Sequence, residues 1–131
     1  MYLVRGIPGS GKSTLANSLS VPVYEVDQYF INSKGEYHYV CTDLSQAHAW
    51  CYGKVKQSLT NGLSCAVANT FICVWQMEPY FALCERFGIE LKIYECKGKY
   101  KNIHAVPEDY IRKMEKAWEQ VPDKYQACIV K

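Results

Sequence analysis

The sequence predicts an α/β fold in which a mostly parallel sheet is flanked by helices on both faces. Short apolar segments alternate with longer segments whose apolar residues recur every three or four positions. The first apolar segment is followed directly by a glycine-rich loop and then by a helical pattern. No repeat, low-complexity tract or interdomain linker interrupts this alternation, so we expect a single domain over residues 1–131.

The glycine-rich loop, GIPGSGKST at residues 6–14, matches the phosphate-binding pattern G-x-x-x-x-G-K-[ST] without a mismatch. Glycines let the backbone turn tightly and bring its N–H groups close to phosphate oxygens. A helix predicted over residues 12–20 adds its positive N-terminal end. The residues predicted to bind a nucleoside triphosphate are Gly6, Pro8, Gly9, Ser10, Gly11, Lys12, Ser13 and Thr14. Lys12 is expected to neutralise the β and γ phosphates, and Ser13 to offer its hydroxyl to Mg²⁺.

The first half of the chain contains two predicted strands and a long helix besides the loop. An apolar strand at residues 2–5 precedes the loop, and an alternating strand at residues 21–26 ends at Asp27. The long helix begins after Thr42 or Asp43, either of which suits an N-cap, and ends at residues 61–62. Its apolar face is predicted to contain Leu44, His48, Cys51, Val55 and Leu59.

The second half continues the alternation of strands and helices. A strand is predicted at residues 65–68, and a helix follows at residues 75–87, capped by Gly88. A strand at residues 89–96 precedes a helix that Pro107 opens. Its apolar stripe is predicted to contain Tyr110, Ile111, Met114 and Trp118. A last short strand is predicted at residues 127–130.

Composition restricts the class of protein. Hydrophobic residues make up 49 % and charged residues 21 % of the chain, which is typical of a soluble globular domain. The net charge of +2 does not by itself indicate a nucleic-acid partner. No apolar run approaches transmembrane length, so we expect no membrane partner, and no obligate protein partner is evident. We expect no signal peptide, because the first strand begins at Tyr2.

Cysteine usage predicts a reducing, cytoplasmic compartment. The chain has seven cysteines, an odd number, and none forms a C-x-x-C pair. We therefore do not expect these cysteines to form a disulfide framework or a structural zinc site. Most of the cysteines have apolar neighbours and are predicted to be small core residues.

Polar residues follow two of the predicted strands. Because ligands in parallel sheets bind beyond the carboxyl ends of the strands, Asp27, Asn69 and Thr70 are expected near the phosphate loop. Asp27 is the candidate general base for an acceptor hydroxyl, and the alternative is a helix N-cap or turn aspartate. Asn69 and Thr70 either orient Mg²⁺-bound water or the γ-phosphate, or form a strand-end turn.

Residues 97–105 are a candidate lid over the triphosphate. Lys97, Lys99 and Lys101 make this segment cationic, so Lys97 is expected to bind the nucleotide and Lys101 to supply transition-state charge. The alternative is a solvated surface loop. His104 is either a second lid contact or a brace for Pro107. His48 is either a hydrogen-bonded core residue or a substrate-binding residue facing the acceptor groove.

Five segments together resemble the polynucleotide-kinase-like branch of small P-loop kinases, which includes phage and eukaryotic 5′-hydroxyl polynucleotide kinases. They are GIPGSGKST at 6–14, VDQYF at 26–30, AHAW at 47–50, NTF at 69–71 with Trp75 and Pro79-Tyr80, and NIHAVP at 102–107. The likeness runs from Tyr2 to about Trp118.

This resemblance implies a three-layer P-loop NTPase fold of the adenylate-kinase type that uses ATP and Mg²⁺, with Asp27 activating the acceptor hydroxyl. Two departures stand out. Phe30 occupies the position where the family's kinases have an arginine that grips the acceptor phosphate. Lys97 and Lys101 stand where the family's lid has arginines.

Three functions follow as hypotheses. The first is a kinase that moves the γ-phosphate of ATP to a polynucleotide 5′-hydroxyl or to a nucleotide. The second keeps the reaction but takes a nucleoside, sugar or other small metabolite as acceptor. The third is an ATP-binding or ATP-hydrolysing module without efficient transfer. Asp27 favours the kinases, since a pure binder needs no base. The weak net charge and the missing arginines favour the latter two.

Overall fold

The computed structural model describes residues 1–100 and 106–130. Five parallel strands form one sheet in the order β2-β3-β1-β4-β5. The strands are β1 (Tyr2–Arg5), β2 (Val23–Tyr24), β3 (Ala66–Asn69), β4 (Lys92–Cys96) and β5 (Ala127–Val130). The predicted α/β fold with a parallel sheet is therefore confirmed, including the short last strand.

Four α-helices connect and cover these strands. They are α1 (Lys12–Asn17), α2 (Leu44–Thr60), α3 (Val74–Phe87) and α4 (Glu108–Ala117). Two short 3-10 helices, Val26–Phe30 and Cys41–Asp43, lie between β2 and α2. Gly88 ends α3 in the left-handed conformation with φ +64°, as the sequence predicts for a C-terminal cap.

The central strand β1 contributes to both faces of the sheet. Leu3 lies opposite Val67 and Ile93, and these three side chains pack in the larger core with α2 and α3. The next residue, Val4, lies opposite Ala68 and belongs to a smaller core with α1. Helices therefore cover both faces of the sheet. Burial of each such aliphatic side chain stabilises the folded state by roughly 1.5–3 kcal/mol relative to leaving it exposed.

The second predicted strand is much shorter than its alternating pattern suggested. Only residues Val23–Tyr24 pair with β3, and the chain then turns into the 3-10 helix Val26–Phe30. The turn is held because the backbone N–H of Val26 donates to Asn69 Oδ1 at 2.9 Å. Asp27 consequently lies in the first turn of a 3-10 helix that follows the strand.

The predicted apolar face of α2 is wrong in its first turn. Leu44 is 37 % exposed, and His48 also reaches solvent. The side chains that α2 buries are Ala47, Cys51, Val55, Ser58 and Leu59. Residues 31–42, which precede the helix, are all exposed, so no core is available to cover the first turn.

Two other helices differ from the prediction, α1 in its length and α4 in the residues that it buries. Helix α1 ends at Asn17, three residues before the predicted end at Ser20. Just after the helix, the hydroxyl of Ser18 donates to the carbonyl oxygen of Leu15 at 2.6 Å. Of the four residues predicted for the stripe of α4, only Ile111 is buried, and Tyr110 is 55 % exposed.

The described cysteines are free thiols, and four of them are buried core residues as predicted: Cys51, Cys65, Cys84 and Cys96. Burial raises the pKa of the Cys65 thiol to about 11. Among the residues that the structure describes, no helix has both the length and the apolar character required to cross a membrane.

Candidate nucleotide and phosphoryl-transfer site

The loop at residues 6–14 joins β1 to α1 and has the backbone that its glycines allow. Gly9 and Gly11 adopt φ values of +81° and +94°, which residues with side chains rarely adopt. A Cβ atom on Gly6 would lie 2.3 Å from Ser10 Oγ and 2.9 Å from the carbonyl oxygen of Cys96. The loop is therefore closed tightly on itself and against the end of β4, and position 6 has no room for a side chain.

Lys12 is held over this loop by a hydrogen bond from its Nζ to the carbonyl oxygen of Ile7, at 3.1 Å. Burial lowers the pKa of the Lys12 ammonium, and the negative charges of Glu25 and Asp27 partly oppose that shift. The ammonium thus loses hydration that these contacts do not fully replace. A bound anion would supply the missing interaction, which suits the role predicted for Lys12.

Two serine hydroxyls of the loop fit a nucleotide with its metal. The buried Oγ of Ser10 has no hydrogen-bond partner among the described residues, so a donor lies unused inside the loop. Ser13 Oγ donates to Glu25 Oε1 at 2.7 Å. A hydroxyl beside a carboxylate is the kind of hard oxygen pair that suits Mg²⁺ and its bound waters. Sequence reasoning missed Glu25, which lies just after the short strand β2.

Tyr100 is a second residue that sequence reasoning missed. Its backbone N–H donates to the carbonyl oxygen of Gly9 at 2.7 Å. Its ring lies against the backbone of Gly11, where an added Cβ would be 3.0 Å from Tyr100 Cε2. At Gly98 an added Cβ would be 2.3 Å from the same atom and 2.9 Å from Ser10 O. The described front part of the predicted lid, residues 97–100, therefore rests on the phosphate loop.

The two residues at the end of β3 connect this strand to neighbouring parts of the site, Asn69 through its side chain and Thr70 through its backbone. Asn69 Oδ1 accepts the backbone N–H of Val26 at 2.9 Å, a long-range contact that is neither of the two roles predicted for this residue. The carbonyl oxygen of Thr70 accepts a hydrogen bond from the N–H of Gly6 at 3.3 Å, so the strand end is tied to the phosphate loop. Thr70 also lines a cavity of about 280 Å³. The other residues that line it are Ile72, Gln76, Tyr110, Lys113, Met114 and Ala117.

Asp27 lies beside the loop in the 3-10 helix. Each of the two residues before it is tied to another part of the site: Glu25 to Ser13 and Val26 to Asn69. Its Oδ1 accepts a hydrogen bond from the phenol of Tyr37 at 3.2 Å. The segment that carries this carboxylate is thus tied both to the phosphate loop and to the end of β3, as expected from the predicted position of Asp27 near the loop.

The remaining predicted residues have varied positions. Lys97 Nζ lies 4.1 Å from the centroid of the Trp118 ring, where it makes a cation–π contact. His48 lies on the exposed side of α2, and neighbouring protein atoms still lower the pKa of its imidazole through desolvation. Lys101 and His104 lie outside the described residues, so their predicted roles stay predictions.

Arg5 organises the carboxyl edge of the sheet and was not predicted to do so. It is fully buried, and its Nη1 donates to Glu95 Oε2 at 3.0 Å. Its Nε and Nη2 donate to the carbonyl oxygen of Phe71 at 3.0 and 2.7 Å. Phe71 has φ +46°, an uncommon conformation for a residue with a side chain. Arg5 therefore holds the chain after Thr70 in a strained conformation next to the phosphate loop.

Trp118 covers the other side of Arg5. The guanidinium carbon of Arg5 lies 3.7 Å from the centroid of the Trp118 ring, and Lys97 also contacts this ring. Arg5 Nη2 further donates to the carbonyl oxygens of Ile72 at 3.2 Å and Glu119 at 2.9 Å. The end of α4 is thereby connected to the segment that follows β3.

Comparison with known proteins identifies a family and one long relative. A family model described as an AAA domain matches residues 1–105. Human NEDD4-binding protein 2 is 31 % identical to the chain over an alignment of 129 residues, and that alignment covers 87 % of this chain. The chain spans only 7 % of the length of that relative.

Solved structures share the fold. A sugar kinase from Janibacter sp. HTCC2649 has a TM-score of 0.68 at 13 % identity, over 98 % of this chain and 83 % of its own. Kti12 from Chaetomium thermophilum, in complex with ADP-AlF3, has a TM-score of 0.65 at 10 % identity, over 98 % of this chain and 87 % of its own. At these identities the likeness establishes the three-layer P-loop fold alone.

Proposed function

The chain belongs to the AAA domain family, and from that premise we propose that it is an ATP-dependent kinase. It transfers the γ-phosphate of ATP to a hydroxyl acceptor. One observation supports this proposal most strongly: the phosphate loop, over which Lys12 is held, is hydrogen-bonded to the segment that carries Asp27, because Ser13 Oγ donates to Glu25 Oε1 at 2.7 Å. A cation for the phosphates and a base for a hydroxyl are the two groups that phosphoryl transfer requires of side chains.

Each residue of the site has a defined task in this reaction. The amides of residues 6–14 cradle the phosphates, and Lys12 balances their charge. Ser13 and Glu25 would hold Mg²⁺ directly or through water, and the metal neutralises charge on the phosphate oxygens when it is bound. Asp27 takes the proton of the acceptor hydroxyl as that oxygen bonds to the γ-phosphorus and ADP leaves.

A polynucleotide 5′-hydroxyl or a nucleotide is the first candidate acceptor, in keeping with the sequence resemblance. A small neutral molecule is the second, and Phe30 favours it. Its side chain is 5 % exposed and packs in the core, with its ring 5.1 Å from that of Tyr39. The position therefore offers no cation to an acceptor phosphate. The sugar kinase among the structural neighbours suggests the same class of acceptor.

An acceptor panel separates these possibilities. The protein is incubated with γ-labelled ATP, Mg²⁺ and each of 5′-hydroxyl DNA, 5′-hydroxyl RNA, nucleosides and sugars. We expect label on one acceptor class with the native chain and none with Lys12→Ala. Label found only as free phosphate would contradict the kinase proposal and favour the hydrolysing module.

A further inference from the structure

The phenol of Tyr37 is hydrogen-bonded to the carboxylate that the proposed reaction uses as its base. Its Oη lies 3.2 Å from Asp27 Oδ1, with the hydroxyl donating to the carboxylate. A general base must lie within hydrogen-bond reach of the proton that it removes, and this pair satisfies that condition. Tyr37 is 41 % exposed, so the core does not enclose this residue.

The phenol is placed there by a small, hydrogen-bonded hairpin. Residues Ile31 and Tyr37 form an antiparallel bridge, and the N–H of His38 donates to the carbonyl oxygen of Phe30 at 2.7 Å. Asn32 Oδ1 accepts the backbone N–H groups of two residues in the turn, both at 2.9 Å. The hairpin thus begins directly after the 3-10 helix that contains Asp27, and its pairing returns Tyr37 to this carboxylate.

The segment that contains Asp27 is hydrogen-bonded to the phosphate loop. Ser13 Oγ donates to Glu25 Oε1 at 2.7 Å, two residues before Asp27 in the chain. The phenol of Tyr37 therefore contacts a carboxylate that is carried by a segment tied to the loop.

We propose that Tyr37 is a self-phosphorylation site, an inference that rests on the proposed kinase function. The phenol oxygen bonds to the γ-phosphorus of ATP as the bond from that phosphorus to the bridging oxygen of ADP breaks. The phenol proton passes to Asp27, and ADP leaves. The products are a phosphotyrosine and ADP, and no oxidant or further reactant is needed.

The environment of Tyr37 makes a base necessary for this step. Desolvation, with a smaller contribution from the charge of Asp27, raises the pKa of Tyr37 to about 12. The phenol is therefore protonated near neutral pH and cannot attack as a phenolate without Asp27. After transfer, the dianionic phosphate would lie against this carboxylate, so like-charge repulsion would push the hairpin away from the base. The site would then be open to another acceptor.

The test uses the full chain, first treated with a phosphatase that is then removed. The protein is incubated with γ-labelled ATP and Mg²⁺ without any added acceptor, and the modified residue is located by mass spectrometry of peptides. We expect a single phosphate on Tyr37, at a rate per molecule that does not depend on protein concentration. Tyr37→Phe should abolish the incorporation.

Tyr39→Phe is the matched control, because Tyr39 lies two residues further on and is 51 % exposed. The rings of Tyr37 and Tyr39 both contact the Phe30 ring, with centroids 6.4 and 5.1 Å away. It should incorporate label as the native chain does. Label on another residue, or no label on the chain while the same sample binds ATP and phosphorylates an added acceptor, would overturn the Tyr37 proposal and leave the kinase function standing. No binding of ATP would overturn both.

Discussion

Arg5 and Glu95 form a buried ion pair between directly opposed positions of neighbouring strands. They are register partners in β1 and β4, and Arg5 Nη1 lies 3.0 Å from Glu95 Oε2. Their side chains are 0 % and 7 % exposed. Because Arg5 also binds the carbonyl oxygen of Phe71, this pair fixes the chain beside the phosphate loop at the edge where the candidate site lies.

Removing one partner of this pair should be strongly destabilising. Arg5→Met leaves Glu95 as an uncompensated buried charge, and loss of one member of such pairs lowers the free energy of unfolding by about 3–5 kcal/mol. Urea denaturation followed by circular dichroism measures the change. The double variant Arg5→Met/Glu95→Leu should recover a large part of the loss, since no charge is then left alone. Equal stability of the single and double variants would show that the charge pairing is unimportant.

Two glycine-to-alanine substitutions should differ in effect: Gly6→Ala should weaken ATP binding, and Gly53→Ala should stabilise the fold. Gly6→Ala forces a Cβ to within 2.3 Å of Ser10 Oγ and 2.9 Å of a backbone oxygen, so the phosphate loop must shift and ATP affinity should fall sharply. Gly53→Ala places its Cβ in open space on α2 and should stabilise the fold by about 0.5–1 kcal/mol. Calorimetric ATP titration and thermal denaturation of both variants test this pair. Normal ATP binding by Gly6→Ala would mean that the loop is not closed as described.

Lys12 should reduce the stability of the nucleotide-free protein. Burial lowers its pKa from 10.5, so the folded state binds this proton less tightly than the unfolded state. Stability therefore rises with pH between the folded and unfolded pKa values, and the penalty is fully present below that window. Lys12→Met should raise the free energy of unfolding at neutral pH by about 0.5–2 kcal/mol while removing the stabilisation that ATP and Mg²⁺ give. Thermal denaturation with and without nucleotide, at two pH values, measures both effects.

Asp27→Asn should separate binding from transfer. The amide keeps an oxygen that can accept the Tyr37 hydrogen bond, but it cannot take the proton of an acceptor hydroxyl. Transfer should slow by roughly 10²-fold or more while ATP affinity stays within about the native range. Initial rates with the best acceptor of the panel, together with an ATP titration, provide the comparison. Collapse of ATP binding in this variant would identify Asp27 as a structural residue.

Local signals in the sequence were sufficient for much of the fold. The phosphate loop, β1 and the Gly88 cap of α3 depend on neighbours within a few positions, and each was predicted correctly. The strand pattern at residues 21–26 failed because a residue distant in sequence, Asn69, takes the N–H of Val26 and turns the chain.

The contacts that sequence could not supply are those between residues far apart in the chain. Arg5 is the last residue of the predicted strand at residues 2–5, and its partner Glu95 comes 90 positions later. Tyr100 follows a charged segment and gives no pattern that would place its ring on Gly11. Tyr37 was one of several tyrosines in an irregular stretch, and only the fold brings its hydroxyl to Asp27.

Binding of ATP is the central claim, and isothermal titration calorimetry on the folded native chain tests it most directly. With Mg²⁺ present, the account predicts saturable binding of a single ATP per chain that weakens when the metal is chelated. A well-folded sample that takes up no ATP or GTP in the presence of Mg²⁺ would contradict it.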